Sequence, residues 1–381
     1  MRRRPRNDGM IRQRDDGRWE SRIYLGWQNG RRKSKSFYGA TEQEVTDLLN
    51  DAKRRYKEGQ PVTTSRETVR EFVNRWMAGA EPRYRPRAFH SYRETLDRHV
   101  LPFLGDLALN ELTMPRVQAW LDDKAAAGVS ARTCRYARVV FRAVIGRAVA
   151  QRLIASNPAG RGIELPAYQE REMTPLDSAQ AQAFLKAVDG HELEGLFTTA
   201  LACGLRIGEA LGLQWNDYDA DKGTLTVNRT VGRLPTVGLV TGPPKSRQSR
   251  RTLKLPTVVS SALKRHRTRQ LEARLAAGKA WQAGDWVFTT PIGTVLDVSN
   301  VRREFRVLLA KAKLPMIRLH DMRHSAATLL LAQGVSVRLI MSVLGHSQVT
   351  TTMRYVHAVE KLQEHAATEM DKALGVAVAG A

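Results

Sequence analysis

The chain has 381 residues, 42% of them hydrophobic, with 61 Lys and Arg against 38 Asp and Glu and a formal net charge of +23 at pH 7. That length exceeds one ordinary domain and that apolar content excludes a disordered tail, so two or three cored domains are expected. The cationic surplus points to a polyanionic partner, nucleic acid being the commonest, rather than to a merely solubilised surface.

Residues 1–60 read as a small separate unit, a three-stranded sheet plus a helix. Residues 19–26 have strand character between Asp16-Gly17 and Asn29-Gly30, and residues 33–38 follow the Asn-Gly turn as the second arm of a hairpin. Thr41 caps a helix running to about Tyr56, with Glu44 at the capping-box position. Arg12, Arg14, Arg18, Arg22, Arg31, Arg32, Lys33 and Lys35 crowd the strands. A β-ribbon decorated in this way suits a DNA groove; the alternative is a solvated basic face.

A linker at residues 59–65 leads to four or more helices over 66–160. Val69, Phe72, Val73, Trp76 and Met77 recur at helical spacing. A second helix carries Tyr92, Leu96 and Val100, and a third, capped by Thr113, buries Val117, Trp120 and Leu121. The fourth starts at Ser130 and presents Val139, Val140, Ala143 and Val144 to a core, while Arg132, Arg135, Arg138 and Arg142 occupy other positions. Those arginines suit phosphates along a duplex or simply form a solvated helix face.

After an extended connector, Thr174-Pro175-Leu176-Asp177 opens a further helix. An apolar helix around 196–203 stops at Gly204, and Arg206 sits at the corner where helix resumes. Strands are expected at 224–231, 237–241 and 250–255, with Lys245 at or beside the tip of a tight connection between the last two. Asn300 caps a helix bearing Val301, Phe305 and Leu308, and a last helix carries Leu362, Ala366, Met370 and Leu374.

Cys134 and Cys203 are too few for a disulfide framework and fit a reducing cytoplasm. No cluster has zinc-ligand spacing, no secretory signal follows the basic start, and no apolar run reaches membrane length, so no membrane partner is expected.

The chemistry-bearing stretch is 318–357. His320 and Arg323 lie three residues apart, on one side of a helix. Arg grips phosphate oxygens through paired N–H groups, and fixed cations stabilise a transferring phosphoryl group. Tyr355 offers a hydroxyl whose ionised form nearby guanidinium charge favours. No acidic set suits a two-metal arrangement, so metal-free transesterification is the chemistry implied. His324 and His357 read as structural or solvent-facing.

Residues 172–381 resemble the catalytic domain of the tyrosine recombinases, the phage-integrase family. The likeness rests on residues 204–211 (GLRIGEAL), on Lys245 in a hairpin, on residues 320–324 (HDMRH), on Leu344-Gly345-His346 and on Tyr355. It implies a multidomain protein: a small α+β arm-type DNA-binding domain over 1–60, an all-α core-binding bundle over 66–160, and a mainly α catalytic domain with a small antiparallel β-sheet over 172–381. It further implies that Tyr355 attacks the scissile phosphate to form a 3′-phosphotyrosine. Arg206 and Arg323 would clamp the non-bridging oxygens, His346 would add a hydrogen bond, Lys245 would protonate the leaving oxygen, and His320 would assist proton removal. Glu209 and Asp321 would support the two arginine motifs. Implied partners are double-stranded DNA carrying attachment sites, three further copies in a homotetramer, a DNA-bending host factor and a directionality factor. No cofactor and no metal are implied, and the setting is the cytoplasm of a bacterial host.

Two other readings compete. Residues 327–355 resemble a helix-turn-helix, with Gly334 at the turn and Ser336 as a cap, which would suit a non-catalytic regulator. A type IB topoisomerase would share the tyrosine chemistry.

Overall fold

The computed structural model describes residues 9–28, 31–57, 62, 67–168, 175–235, 237–244, 246–345 and 348. The chain divides into two compact units, Met1–Glu170 and Arg171–Ala381.

In the first unit, β1 (Met10–Gln13), β2 (Trp19–Gln28) and β3 (Arg31–Gly39) form an antiparallel sheet with β2 in the centre. Helix α1 (Glu42–Lys57) turns Val45, Leu49 and Ala52 inward, where they pack with Ile23 and Val62. Thr41 accepts from the Glu44 N–H at 3.2 Å, but the Glu44 carboxylate reaches back to the Ala40 N–H, one residue before the cap.

The helical part comprises α2 (Val69–Ala80), α3 (Pro86–Thr95), α4 (Leu101–Leu104), α5 (Met114–Ala126) and α6 (Ala131–Ala150). The helix expected through Tyr92, Leu96 and Val100 is interrupted: α3 passes into a π turn at Leu96–Val100. Pro102 has no N–H to close an α turn, and the chain widens ahead of it. Thr113 stands at the α5 N-cap without a side-chain hydrogen bond, whereas Ser130 does cap α6, accepting from the Thr133 N–H at 3.2 Å. The core stripe of α6 differs from expectation. Cys134, Ala137, Val140, Phe141, Val144, Ile145 and Ala148 are buried, while Val139 is 53% exposed. Ala143 is exposed as well. The stripe repeats at seven-residue steps from Cys134 through Phe141 to Ala148, which leaves Val139 and Ala143 outside it.

The second unit starts with α7 (Ser178–Val188), α8 (Glu194–Ala202) and α9 (Ile207–Leu211). Helix α7 begins at Asp177 rather than at Thr174-Pro175, because Asp177 and Gln180 form a reciprocal capping box. Helix α8 is apolar on all sides and runs through the middle of the unit, against α7 and α9 and two helices that follow. Phe184, Phe197 and Phe305 meet edge-on or tilted beside it, with centroids 5.5–5.9 Å apart.

Five strands follow: β4 (Tyr218–Asp219), β5 (Thr224–Val227), β6 (Thr230–Leu234), β7 (Gly238–Gly242) and β8 (Arg251–Lys254). They make two small antiparallel sheets, β4-β5-β8 and β6-β7. The strand expected over 224–231 breaks at Asn228 and Arg229, whose side chains both turn to Asp217. Strands β7 and β8 do not pair, so the segment that holds Lys245 joins two sheets instead of turning a hairpin.

Helix α10 (Thr257–Ala277) packs on α8. Helix α11 (Val298–Lys311) is capped by Asp297, which accepts from the Ser299 N–H at 2.7 Å, so Asn300 lies inside the helix. Helices α12 (Asp321–Ala332) and α13 (Val337–Leu344) are joined by a tight turn with Gly334 at φ +74° and Ser336 as the α13 cap. The unit is mostly helical with small antiparallel sheets. Among the described residues, no helix is long and apolar enough to cross a membrane.

Candidate active site

The corner carrying Arg206 is set by the end of α8. Gly204 adopts φ +57°, the left-handed turn that ends a helix at low cost when no Cβ is present. Its N–H donates to the Leu201 carbonyl and that of Leu205 to the Ala200 carbonyl, with the Leu205 side chain buried. Arg206 is then extended, at φ −68° and ψ 143°, and starts α9. Its guanidinium donates to Glu209 at 2.6 Å, and its backbone N–H donates to the other oxygen of the same carboxylate at 3.2 Å. Glu209 is 2% exposed, while the Arg206 side chain keeps 35% of its surface open. A buried acid thus orients an arginine whose outer edge reaches solvent.

The second arm comes from the start of α12. Asp321 takes the Arg318 N–H at 2.8 Å and pairs with the Arg318 guanidinium at 2.8 Å, which fixes the turn that carries His320. His320 opens to solvent. Its imidazole is nevertheless held below the usual histidine range, first by desolvation and then by the charges of Arg323 and Arg206. The neutral ring is therefore favoured, and both guanidiniums lie near enough to act on it. His324 stacks edge-on to His320 at 5.0 Å, and burial is the main reason that its own pKa falls to about 4.

Arg323 is among the largest fully buried side chains, at 2% exposure. It donates to the Gly204 carbonyl at 2.7 Å and to the Leu344 carbonyl. It therefore fastens the Arg206 corner to the end of α13. The last carbonyls of a helix have no partner within the helix, and cations there are favourable.

A second arginine does the same one residue earlier. Arg251, at the start of β8, donates to the Val343 carbonyl, to the Ser249 carbonyl at 3.0 Å, and pairs with Glu209 at 3.4 Å. Its side chain is 7% exposed. Sequence reasoning passed over Arg251 among the neighbouring Arg247 and Arg250. It is 42 residues from Glu209 and 92 from Val343, so no local signal marks it. Gly345 takes φ +67° directly against it, and a Cβ there would lie 3.0 Å from the Arg251 guanidinium.

Arg206, Glu209, His320 and Arg323 are thus brought together, with Asp321 supporting the His320 turn. Lys245, His346 and Tyr355 lie outside the described residues.

The arm and bundle arginines divide by environment. Glu20, shielded by arginine stems near the surface, pairs with Arg12 and Arg22 and is lowered to about 2, chiefly by its hydrogen bond from Arg12. Arg14, Arg18, Arg32 and Lys33 are exposed, with Arg14 over the Tyr38 ring and Arg32 over Tyr24, and Lys35 is half-buried. The side chain of Arg31 is outside the described set. On α6, Arg132 and Arg142 are exposed. Arg135 and Arg138 instead turn to the carbonyls of Pro166 and Gly160. The four do not share one outward face.

Residues 175–361 match the Phage integrase family, and residues 68–125 match its N-terminal SAM-like domain. An integrase of Streptomyces ambofaciens is 30% identical over 365 residues, covering 92% of this chain and 92% of its own length. The chain belongs to the phage integrase family. As a tyrosine recombinase it is an enzyme of site-specific DNA recombination. A XerC-like tyrosine recombinase of Caldanaerobacter subterraneus subsp. tengcongensis is 27% identical over 359 residues, with 89% and 92% covered. The fold of this recombinase is also that of the Tn1549 transposon integrase, solved in complex with a circular intermediate DNA. There the TM-score is 0.66 at 20% identity, over 80% of this chain and 99% of that one.

Proposed function

We propose that the recombinase cuts and rejoins DNA through a phosphotyrosine on Tyr355, integrating or excising a phage or other mobile element. The Tyr355 oxygen forms a bond to the scissile phosphorus while the bond to the 5′ oxygen breaks. The tyrosine proton passes to His320, and the leaving oxygen takes a proton from Lys245. Arg206 stabilises charge on the non-bridging oxygens through its open edge. Arg323 adds its positive charge from behind the corner while it holds the Gly204 and Leu344 carbonyls, and His346 adds a hydrogen bond. A 5′-hydroxyl from the partner duplex then attacks the phosphotyrosine in the reverse sense. The phosphate bond energy is retained in the covalent link, so no ATP is consumed.

The observation that carries this reading is the meeting of two chain segments at one corner. Arg323 donates to the Gly204 carbonyl, two residues before Arg206. His320 is the N-cap residue of the helix that carries Arg323, and desolvation first and then both cations hold its imidazole below the usual range. A base must be neutral to accept a proton, and an anion must meet cations held in advance. Glu209 and Asp321 act one step back, by orienting Arg206 and the His320 turn.

The domain plan follows the same reading: residues 1–60 bind arm-type sites, residues 66–160 grip the core site, and residues 172–381 carry the chemistry. Exchange between two duplexes uses four nucleophiles, so the working form is a homotetramer on DNA. A bending host factor and a directionality factor complete the assembly. It acts in the cytoplasm of the bacterial host.

The test is a nicked duplex carrying the attachment sequence, from which the short cleaved strand diffuses away. Wild-type protein should become attached to the DNA in a form that resists SDS and is released by protease; a regulator of the helix-turn-helix kind would leave the DNA free. Supercoiled plasmid lacking the site should not be relaxed, and relaxation there would favour the topoisomerase reading.

A further inference from the structure

We propose that Arg251 is a positioning residue for the recombination chemistry: it sets Arg206 through Glu209, fixes the end of α13, and leaves the Arg206 corner cationic toward a phosphate. This rests on the reading of Arg206 as a phosphate clamp.

Three observations converge on it. First, Arg251 shares the Glu209 carboxylate with Arg206, at 3.4 Å against 2.6 Å. Arg206 and Glu209 alone make a neutral pair, a poor attractor for an anion. With Arg251 the trio carries one net positive charge, and only Arg206 has the open edge on which to present it.

Second, the Arg251 fork holds two chain segments as well as the acid. One is the Ser249 carbonyl, at the end of the segment that carries Lys245; the other is the Val343 carbonyl, at the end of the helix that leads into Gly345-His346. A planar guanidinium serves several acceptors in a fixed geometry, which a lysine ammonium on a flexible stem does not. Arg251 therefore ties the Arg206 corner, the Ser249 turn and the end of α13 to one another. Gly345 is part of the same fit, because a side chain there would meet Arg251, the Gln248 carbonyl and Ser249 within 3.1 Å.

Third, burial separates Arg251 from DNA. At 7% side-chain exposure it acts only through the groups it holds. Desolvation is the main influence lowering its pKa, and Glu209 opposes it, as for a cation kept charged by its partner.

The experiment uses the full-length chain and nicked attachment-site duplexes in two forms. One has an ordinary scissile phosphate; in the other a methyl group replaces one non-bridging oxygen, so the phosphate is neutral and needs less cationic help. Arg251→Met should slow covalent attachment on the ordinary phosphate roughly ten- to a hundredfold, as when a group orienting a functional side chain is lost. On the neutral phosphate the loss should be under about threefold, because the missing interaction is with charge. The corner is one phosphate contact among many along the duplex, so affinity should fall by less than about threefold. Arg251→Lys keeps the charge without the fork and should fall between; if Arg251→Met does not fold, Arg251→Lys carries the comparison at smaller amplitude.

Equal slowing on both phosphates, or no slowing on either, overturns the proposal. Arg206→Lys serves as the reference. If it too fails to distinguish the two phosphates, the clamp reading falls and the Arg251 proposal with it. If it distinguishes them and Arg251→Met does not, the Arg251 proposal alone falls.

Discussion

Gly204→Ala is the substitution whose consequences the structure specifies most fully. At φ +57° an alanine pays for the left-handed conformation by roughly 1 kcal/mol or somewhat more. Its Cβ would lie 2.2 Å from the Leu344 Cδ2 and 3.4 Å from the Ala326 Cβ. Leu344 is fully buried, so its methyl has no open space to enter. Overpacking of this kind costs about 1–3 kcal/mol. Together the two effects come to about 2–4 kcal/mol, a large share of the roughly 5–15 kcal/mol that keeps a domain folded. The displacement is also functional in direction: Gly204 and Leu344 supply the two carbonyls that hold Arg323. Hydrogen exchange of α12 and α13 amides as a function of urea reads the local stability apart from the other unit. Protection should fall by the amount given, and covalent attachment to nicked DNA should slow with it. Leu344→Ala in the same chain makes room for the new methyl, so the double variant should lose less than the two single losses added together. Protection changed by less than about 0.5 kcal/mol in Gly204→Ala would show that the packing at this corner has been misjudged.

His324 gives a pH signature. Its pKa falls from the ordinary 6.5 to about 4 in the folded protein, mainly through burial, so the unfolded chain takes up the proton first as pH drops. Its contribution is complete above 6.5 and is lost as pH falls toward 4, by at most about 3 kcal/mol at 1.36 kcal/mol per unit. His324→Asn should flatten that part of the stability profile in urea titrations between those pH values; an unchanged profile contradicts the burial-driven shift. For the α6 arginines, Arg132→Ala and Arg142→Ala should each reduce the slope of log affinity against log salt by about one, the loss of one phosphate contact. Arg135→Ala and Arg138→Ala should lower stability and leave the slope in place, since those side chains hold the Pro166 and Gly160 carbonyls. Equal slope changes at all four positions contradict this division.

Local signals in the sequence were readable where the interaction itself is local. Ser130 and Ser336 cap helices that start where their spacing suggests, Gly334 makes the turn before α13, and Arg206 meets Glu209 three residues away. Competing local signals were harder to rank. Asp177 won over Thr174-Pro175 because Gln180 completes its box, and Asp297 took the α11 cap that Asn300 was equally equipped to hold. Long-range pairing left no local trace. Residues 251–254 look like a strand, but nothing near them tells that β8 pairs with β5 and not with β7. Arg135 and Arg138 share helical spacing with exposed arginines, and only the path of the following connector turns them inward. Arg251 is the clearest case: apart from the Ser249 carbonyl two residues away, its partners Glu209 and Val343 come from two distant segments, so its position emerges only in the folded chain.

The central claim is that a phenolic oxygen at Tyr355 captures the DNA strand. Its most direct test is to isolate the covalent complex formed on a nicked attachment-site duplex, digest the protein, and identify the residue bound to the 3′ phosphate by mass spectrometry. The account predicts that the label lies on Tyr355, and that Tyr355→Phe binds the duplex with unchanged affinity yet yields no complex. A complex that persists in Tyr355→Phe, or a label on another residue, would contradict it.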